Sequence, residues 1–424
     1  MSVNQKAILS ALIFSLWGGV CFAAPPTAEI KKYDNQVKAA EEAAAVAAYE
    51  KIQAKTSIVW EKDIDPVIAG RSFYGLPSET LVTESKDIFI AGRLMKDQNY
   101  SMYLSKLDSQ GNSTWSRSFG IGSYSGRRNS MNAIAHMGNH IFVGGNFRDR
   151  SNPGRAFVAA YDEVGGKKWV HLWPEPRSFK SKNEVWGFLP ESNDGEFYAI
   201  LTHPHRYDGY SSSNFTKFTY EVKKSKKETT GKFKGKLRSK DGVYIGSRSL
   251  KVVKTSDDDF YIVTDEEGTA RNKQSGRIVV RKSTDLEDTI WEVPLSQVDF
   301  DPIVFDTALA SDGGLLVSYA FRSDSRGTRY IAKVRPDGAI HFNEPFPYKG
   351  WLFPTDTGAM VVGERETTFI DLEGKKQWSK SIASSGRTIT SISRFDQNTL
   401  IAIGFYQKEE NQYSGFASKI RLNF

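Results

Sequence analysis

The chain has 424 residues, and its 57 lysine and arginine residues against 50 aspartate and glutamate residues give a formal net charge of +7. A modest positive excess of this kind favours anionic surfaces or ligands without naming one. The only cysteine, Cys21, lies in a segment that we expect to be removed. Without it the chain can form no disulfide bond, thiolate metal site, catalytic cysteine or covalent c-type haem.

Residues 1–24 have the three parts of a secretory signal peptide. Lys6 supplies the positive charge, residues 7–20 are mostly apolar, and small residues surround an expected cleavage after Ala23 or Ala24. The apolar run is shorter than the roughly 20 residues that span a bilayer comfortably, and no later segment is apolar enough. We therefore predict a periplasmic or secreted protein without a transmembrane segment; an uncleaved membrane anchor is the alternative.

Residues 25–56 are predicted to form an Ala-rich helix or spacer. The segment 27–55 contains neither glycine nor proline, and its apolar residues recur at spacings of three and four. A solvated helix is the simpler interpretation. A short coiled-coil contact with a partner is the alternative, although a seam made mostly of alanine favours it weakly.

From Ser57 onward, apolar and polar residues alternate in short runs that Gly, Asp and Asn interrupt, a pattern typical of strands. One element recurs as LDSQGNSTW at 107–115, YDEVGGKKW at 161–169 and IDLEGKKQW at 370–378. Looser copies occupy 282–291 and 334–342, and residues 220–237 keep the strands but expand the turn. Trp115 and Trp169 are 54 residues apart, whereas Trp291 and Phe342 are 51 apart, which is the period of a four-stranded blade.

A second repeated element is a hairpin with a polar tip, which precedes each outer turn. Its seven copies lie at 84–92, 137–145, 192–201, 255–264, 311–320, 355–363 and 395–404. The last copy is followed by one further strand, and residues 57–64 (SIVWEKDI) match an orphan fourth strand. We therefore predict an all-β, seven-bladed β-propeller over residues 57–424, closed by strand 57–64 pairing with the C-terminal blade.

The Leu-Asp-x-x-Gly-x-x-x-Trp element resembles the repeat of the PQQ-like β-propeller superfamily over about residues 57–424. That superfamily includes quinoprotein dehydrogenases and non-enzymatic periplasmic scaffolds of the outer-membrane assembly type. The quinoprotein enzymes generally have eight blades, a haem or vicinal cysteines, and a calcium-binding carboxylate cluster, which this sequence does not match. The resemblance thus implies a non-enzymatic exported member whose tryptophans separate neighbouring blades.

His203 and His205 are the only clustered pair among six histidines, and Arg206 and Tyr207 follow them in a predicted loop of blade three. Pro204 between them does not by itself bring the two rings together, so solvated loop histidines are the simpler interpretation. An imidazole pair for a metal or a sugar acid is the alternative. We predict no catalytic residue, no metal site and no cofactor.

Loops that join consecutive blades, and loops that join second to third strands, share one face of a propeller. Our candidate ligand-binding residues on this face are Arg127, Arg128, Arg148, Arg206, Tyr207, Arg322 and Arg326. The same predicted loops contribute Arg155, Trp186, Arg329, Trp351 and Arg387. An anionic envelope polymer or an acidic protein loop would suit such a face, and ordinary solvated loop charge is the alternative.

The basic run at residues 223–240 contains nine lysine or arginine residues and one aromatic residue, Phe233. A single stacking residue in an exported chain argues against nucleic-acid binding. We predict instead that these lysines prevent edge-to-edge pairing of an extended outer hairpin. Contact with anionic lipid headgroups is the alternative.

Together these features predict an exported, non-catalytic propeller that acts as a binding or scaffold protein for a protein partner or an anionic polysaccharide of the cell envelope. The alternative function is a quinone- or metal-dependent oxidoreductase, or a polysaccharide lyase, on the same propeller.

Overall fold

The computed structural model describes residues 56–68, 71–72, 74–96, 99–119, 129–147, 155–172, 184–190, 196–204, 211–224, 229–236, 250–266, 277–284, 288–296, 302–321, 328–382, 386–409 and 412–422. The predicted signal peptide (1–24) and residues 25–55 of the predicted helix or spacer lie outside these ranges. The part that is described consists of strands and their connections and contains no helix, and hence none that could cross a membrane.

The chain begins with β1 (Thr56–Asp63) and a small pair of strands, β2 (Val67–Ile68) and β3 (Arg71–Ser72). Blade 1 contains β4 (Tyr74–Val82), β5 (Ile88–Lys96), β6 (Asn99–Leu107) and β7 (Ser113–Phe119). Blade 2 contains β8 (Ser130–Met137), β9 (His140–Phe147), β10 (Arg155–Asp162) and β11 (Lys167–Leu172). Blade 3 contains β12 (Glu184–Pro190), β13 (Glu196–Pro204), β14 (Ser211–Lys224) and β15 (Thr229–Lys236).

Blade 4 contains β16 (Leu250–Lys254), β17 (Phe260–Glu266), β18 (Arg277–Ser283) and β19 (Thr289–Pro294). Blade 5 contains β20 (Pro302–Leu309), β21 (Leu315–Phe321), β22 (Arg329–Val334) and β23 (Ile340–Phe346). Blade 6 contains β24 (Trp351–Thr355), β25 (Gly358–Val362), β26 (Glu366–Asp371) and β27 (Lys376–Ser381). Blade 7 contains β28 (Arg387–Asp396), β29 (Thr399–Glu409) and β30 (Gln412–Leu422), with β1 as its fourth strand.

The described strands confirm the predicted seven-bladed, all-β propeller. Each blade is an antiparallel four-stranded sheet in chain order, except that β1 completes blade 7 by pairing with β30. Trp60 pairs with Lys419 and Asp63 with Phe416, as the orphan-strand prediction requires. The first strand of each blade contacts the first strand of the next, and β28 contacts β4, so these strands form a closed ring around a central channel. The short β2–β3 pair was not predicted.

The hydrophobic core is divided among the junctions between blades. In the described residues, one cluster lies at each of the seven junctions, such as Leu189 and Ile200 of blade 3 against Phe260 and Ile262 of blade 4. Second strands are buried on both faces because each blade packs between two others. Fully burying one large side chain such as Phe89 contributes about 1.5–3 kcal/mol.

An aromatic residue on the fourth strand of one blade packs on the outer turn of the next. A Cβ on Gly165 of blade 2 would lie 3.0 Å from the Trp115 ring of blade 1, and this glycine has a φ of +84°. The Trp115 Nε1–H donates to the carbonyl of Glu163, 3.1 Å away. The glycine therefore permits both the turn and the close approach of the indole.

The same contact recurs between blades 4 and 5. Trp291 lies against Gly338 and donates its Nε1–H to the carbonyl of Pro336 at 3.1 Å. These contacts agree with the prediction that the tryptophans lie between neighbouring blades and separate them. At the junction of blades 5 and 6, Phe342 lies against Gly374 but has no ring N–H to donate.

Candidate functional site

The seven ligand-binding candidates that the sequence suggested are not placed by the structure. Arg127, Arg128, Arg148, Arg206, Tyr207, Arg322 and Arg326 all lie outside the described residues. His205 lies outside them as well, whereas His203 and Pro204 belong to β13 and pair in register with Ser212 and Ser211. The predicted loop of blade three thus begins later than expected.

Five other residues assigned to loops lie in strands. Trp186 is within β12, and the other four, Arg155, Arg329, Trp351 and Arg387, begin β10, β22, β24 and β28. Strands extend further toward the predicted loop face than the hairpin pattern indicated, because ladder hydrogen bonds continue past the apolar run. Trp351 packs against the hydrophobic cluster between blades 6 and 7 and is only partly exposed.

Arg387 has a structural role. Its Nη1 lies 2.7 Å from Glu61 Oε1 on β1, and its guanidinium lies over the rings of Tyr406 and Phe416 at 4.7 and 4.9 Å. The tyrosine hydroxyl in turn donates to Asp63 at 2.8 Å. This arginine therefore ties the first strand of blade 7 to its fourth strand and is not offered to a ligand.

A different set of residues converges in the central channel. In each blade, one residue of the first strand pairs with the fourth residue of the second strand, counted from the first apolar residue other than glycine. Glu79 occupies this position opposite Ala91, Lys251 opposite Val263, and Asp306 opposite Ser318. The equivalent residues in the other blades are Ala133, Gly187, Trp351 and Ser391. We call these seven residues the channel layer.

A β-bulge precedes this position in five blades. The ladder shifts register between Pro77 and Glu79, and likewise immediately before Ala133, Gly187, Asp306 and Ser391. The extra residue at two of these bulges bonds to the next blade: Thr390 Oγ1 donates to the carbonyl of Pro77 at 2.8 Å, and Ser78 Oγ to that of Met131 at 2.7 Å. Bulges reorient side chains and are frequent beside functional sites.

Glu79 is the most perturbed group of the channel layer. Desolvation by burial raises its pKa to about 8, and the nearby Asp306 charge raises it further. Lys251 and a hydrogen bond from Ser391 oppose these effects without cancelling them. The Glu79 carboxyl is therefore mostly protonated at neutral pH, so that it can donate a hydrogen bond.

Asp306 shares this environment. Burial raises the pKa of its carboxyl, while the Lys251 charge and backbone N–H groups lower it. Its Oδ2 accepts the N–H of Leu352 on the neighbouring blade at 2.8 Å. The side chain is thereby fixed, and a second carboxyl of raised proton affinity lies in the same layer.

The channel layer is not uniform around the ring. Blades 2 and 3 contribute only a methyl group, from Ala133, and a glycine, Gly187. Glu79 of blade 1 and Lys251 of blade 4 flank these two blades.

Elsewhere in the described part of the chain, aspartate carboxylates such as those of Asp108 and Asp371 accept backbone N–H groups in the outer turns. Asp108 accepts the N–H groups of Asn112 and Gln110 at 2.8 and 2.9 Å, and these bonds, with the Asn112 side chain, lower its pKa. Asp371 caps its turn in the same way. No group of three or more His, Cys, Asp or Glu side chains within the described ranges could hold a metal ion.

Sequence reasoning missed the channel layer because its members are not near one another in the chain. The available signal was an alignment of the first strands, LPSETLV, SLKVVK and IVFDTAL, which places a charged residue at the same position in three blades. Only the closure of the ring shows that these positions face one another.

Comparison with known proteins supports the fold alone. No family model and no curated protein matches the sequence. The Pan2 WD40 domain of Neurospora crassa superposes with a TM-score of 0.51 at 8% identity, over 85% of this chain and 95% of that one. The polysaccharide lyase Uly1 gives 0.51 at 10% identity, over 87% and 95%. A Dyadobacter fermentans protein of unknown function gives 0.47 at 10%, over 87% and 99%.

The similarities to the Pan2 domain and to Uly1 support the β-propeller fold but do not distinguish a binding protein from an enzyme. The PQQ-like assignment within the propellers stays a prediction.

Proposed function

We propose that this protein is an exported, non-catalytic propeller that binds an anionic polymer of the cell envelope. The observation that supports the proposal most directly is the channel layer, in which Lys251 from one blade faces two carboxyl groups of raised pKa from two others. Because the Glu79 carboxyl is mostly protonated at neutral pH, it offers a hydrogen-bond donor rather than a negative charge. The net charge of +7 likewise favours anionic ligands.

The depth of the channel layer favours a polymer over a folded partner. Glu79 lies five residues from Tyr74, the end of β4 on the side of the predicted arginine loops, which corresponds to about 17 Å at roughly 3.3 Å per residue. The surface of a folded protein does not reach so far into a propeller channel, whereas a chain end or side group of a polysaccharide does. The predicted arginine loops, including Arg127, Arg128 and Arg322, would hold the rest of the polymer.

Binding rather than turnover is favoured by the bonds that fix both carboxyls. Glu79 accepts from Ser391, and Asp306 accepts the N–H of Leu352, so each is positioned by its neighbour blade. One observation favours a catalytic alternative: a glutamic acid with a pKa of about 8 is suited to proton donation. The second candidate is therefore a polysaccharide-cleaving enzyme in which Glu79 transfers the proton.

Chromatography on an immobilised anionic glycan tests the proposal. We expect the wild-type protein to be retained, retention to fall in a variant carrying Arg127→Glu, Arg128→Glu and Arg322→Glu, and no product to form when the glycan is incubated with the protein. Unchanged retention of the variant contradicts the role of the loop face. Release of unsaturated or newly reducing ends supports the enzyme instead, and co-purification of one protein without glycan retention supports a protein partner.

A further inference from the structure

We infer that a cleft at the junction of blades 5 and 6 is a second binding site, which takes a tryptophan side chain from an extended segment of a partner protein. The cleft has a volume of about 380 Å³ and is lined by the outermost strand of blade 5 and the outer turn of blade 6. We call it the junction cleft. The channel layer lies on the innermost strands, so the two sites are separate, and the inference does not depend on the proposed function.

The junction cleft has apolar walls and a charged rim. Ile331, Phe342 and Ile370 line it and are buried, and Phe346 beside them is half-buried. The charged side chains that line it are all exposed and are two glutamates and two lysines: Glu344, Glu373, Lys375 and Lys376. Their formal charges cancel, so the cleft does not suit an anionic polymer, whereas an apolar centre within a polar rim is typical of protein-binding surfaces.

The junctions between blades place an aromatic ring on a glycine of the next turn. Trp291 does so on Gly338, and its Nε1–H donates to the turn carbonyl of Pro336. Phe342 lies on Gly374 in the same manner, with a Cβ on that glycine only 2.8 Å from the ring. A phenyl ring covers less of the turn than an indole does, so the cleft stays open beside Phe342.

The aromatic walls favour an aromatic occupant. Aromatic rings prefer offset-stacked or edge-to-face contact with one another, and Phe342 and Phe346 offer such contact from two sides of the cleft. Tryptophan and tyrosine are enriched among the side chains that dominate protein–protein binding. The chain itself uses tryptophan on the equivalent turns, as Trp115 and Trp291 show, so we assign tryptophan.

The surface around the junction cleft favours a protein segment over a small molecule. Ile340 lies two positions before Phe342 and is 42% exposed, and Leu372 lies two positions before Gly374 and is 38% exposed. Exposed apolar side chains gathered at one place indicate an interaction surface. Among the described strands, β23 ends the sheet of blade 5, so an extended segment can lie beside it. Pro345 interrupts backbone pairing at this edge, so an inserted side chain supplies the contact.

Methyl nuclear magnetic resonance of the full chain, labelled at the isoleucine δ1 methyl groups, tests the inference. The probe is the peptide acetyl-Ser-Trp-Ser-amide, and the control peptide has alanine in place of tryptophan. We expect the probe to shift the signals of Ile331 and Ile370 in a saturable way, with a dissociation constant on the order of 1 mM, and to leave Ile141 of blade 2 unchanged. Absence of a saturable shift at Ile331 and Ile370, or equal shifts with the alanine peptide, overturns the inference.

Two variants assign binding to the junction cleft. Phe342→Trp places the chain's own indole in the cleft and should weaken probe binding about tenfold or more. Phe346→Ala removes one aromatic wall without requiring room for a larger side chain, and should weaken binding about three- to tenfold. Phe405→Trp is the matched control and should bind as the wild type, because Phe405 lies in blade 7, half-buried against Tyr413 at 5.7 Å between ring centroids. Thermal melts of each variant show whether a loss of binding reflects unfolding.

The outcomes separate the inference from the proposed function. Wild-type affinity for the probe in both Phe342→Trp and Phe346→Ala overturns the junction cleft as a site, even when the wild type is retained on the anionic glycan. Retention of Phe342→Trp on that glycan should equal that of the wild type; a loss would mean that the cleft binds the polymer, which overturns the assignment to a protein partner. Failure of the wild type to be retained contradicts the proposed function alone.

Discussion

At the scale of single residues, the channel layer holds groups whose burial is unfavourable for folding. The pKa of Glu79 rises from its ordinary 4.5 to about 8, which means that the folded state binds its proton more tightly than the unfolded chain does. Stability from this group is therefore greatest below about pH 4.5 and declines as the pH rises toward about 8. The aspartates at the turns act in the opposite direction, as the lowered pKa of Asp108 indicates.

Glu79→Gln isolates the contribution of this one carboxyl. We expect the variant to match the wild type in thermal stability near pH 4.5 and to exceed it at pH 9, by roughly 1–3 kcal/mol after allowance for solvent in the channel. Thermal unfolding followed by circular dichroism at both pH values measures the difference. Equal stability at pH 9 would mean that burial of the charge is not costly there.

At the scale of elements, the junction between blades depends on one aromatic residue and one turn. Trp115 and Trp291 each add a hydrogen bond to a turn carbonyl. Phe342 cannot, and a cleft of about 380 Å³, lined in part by Phe342, Phe346 and Gly374, lies at this junction. The carbonyl that corresponds to the two acceptors belongs to Leu372, the residue after Asp371 in its turn.

A pair of opposite substitutions measures this contact. Trp115→Phe should destabilise the protein by about 1–2 kcal/mol, through loss of the ring area and of one hydrogen bond of about 0.5–1.5 kcal/mol. Phe342→Trp should stabilise it by about 1 kcal/mol, because the indole enters the cleft and can donate to Leu372. Denaturant unfolding of both variants tests the idea, which fails if Phe342→Trp is as destabilising as Trp115→Phe.

At the scale of the whole molecule, stability depends on closure of the ring. The strand that completes blade 7 comes from the start of the propeller, and the ion pair of Arg387 with Glu61 fastens it to the first strand of that blade. The side chain of Asp65 then accepts from the Ser414 hydroxyl at 2.7 Å and from the Gly415 N–H at 3.1 Å. Closure of a sheet removes edges that would otherwise pair with other chains.

Truncation tests the closure directly. A chain that starts at Asp65 lacks β1 and should melt at clearly lower temperature and aggregate, whereas a chain that starts at Thr56 is the control for removal of the preceding residues. Arg387→Met in the full chain should cost about 2–3 kcal/mol, because it leaves carboxylates of β1 without their cation. Unchanged melting of the chain that lacks β1 would contradict closure by this strand.

Much of the fold was predictable because its signals are local. The outer turn needs Asp108 to accept backbone N–H groups and Gly111 to adopt a φ of +77°, and these requirements place the same residue types at the same spacing in other blades. Period-two alternation marks the strands, and an unmatched strand at 57–64 implies its partner at the other end of the propeller. These features do not depend on any distant contact.

The candidate site was not predictable from the same signals. Glu79, Lys251 and Asp306 are separated by 172 and 55 residues, and each lies in a strand whose local pattern looks ordinary. A bulge decides which way the side chain at such a position points, and a register shift of one residue turns it to the opposite face of the sheet.

The sequence by itself thus determined the number of blades, their turns and the strand that closes them, since each depends on residues close together in the chain. Only the tertiary structure decided that a glutamate, a lysine and an aspartate from three blades share one level of the channel. The physical reason is that their proximity arises from closure of the whole ring, and their proton affinities arise from the desolvation that this closure imposes.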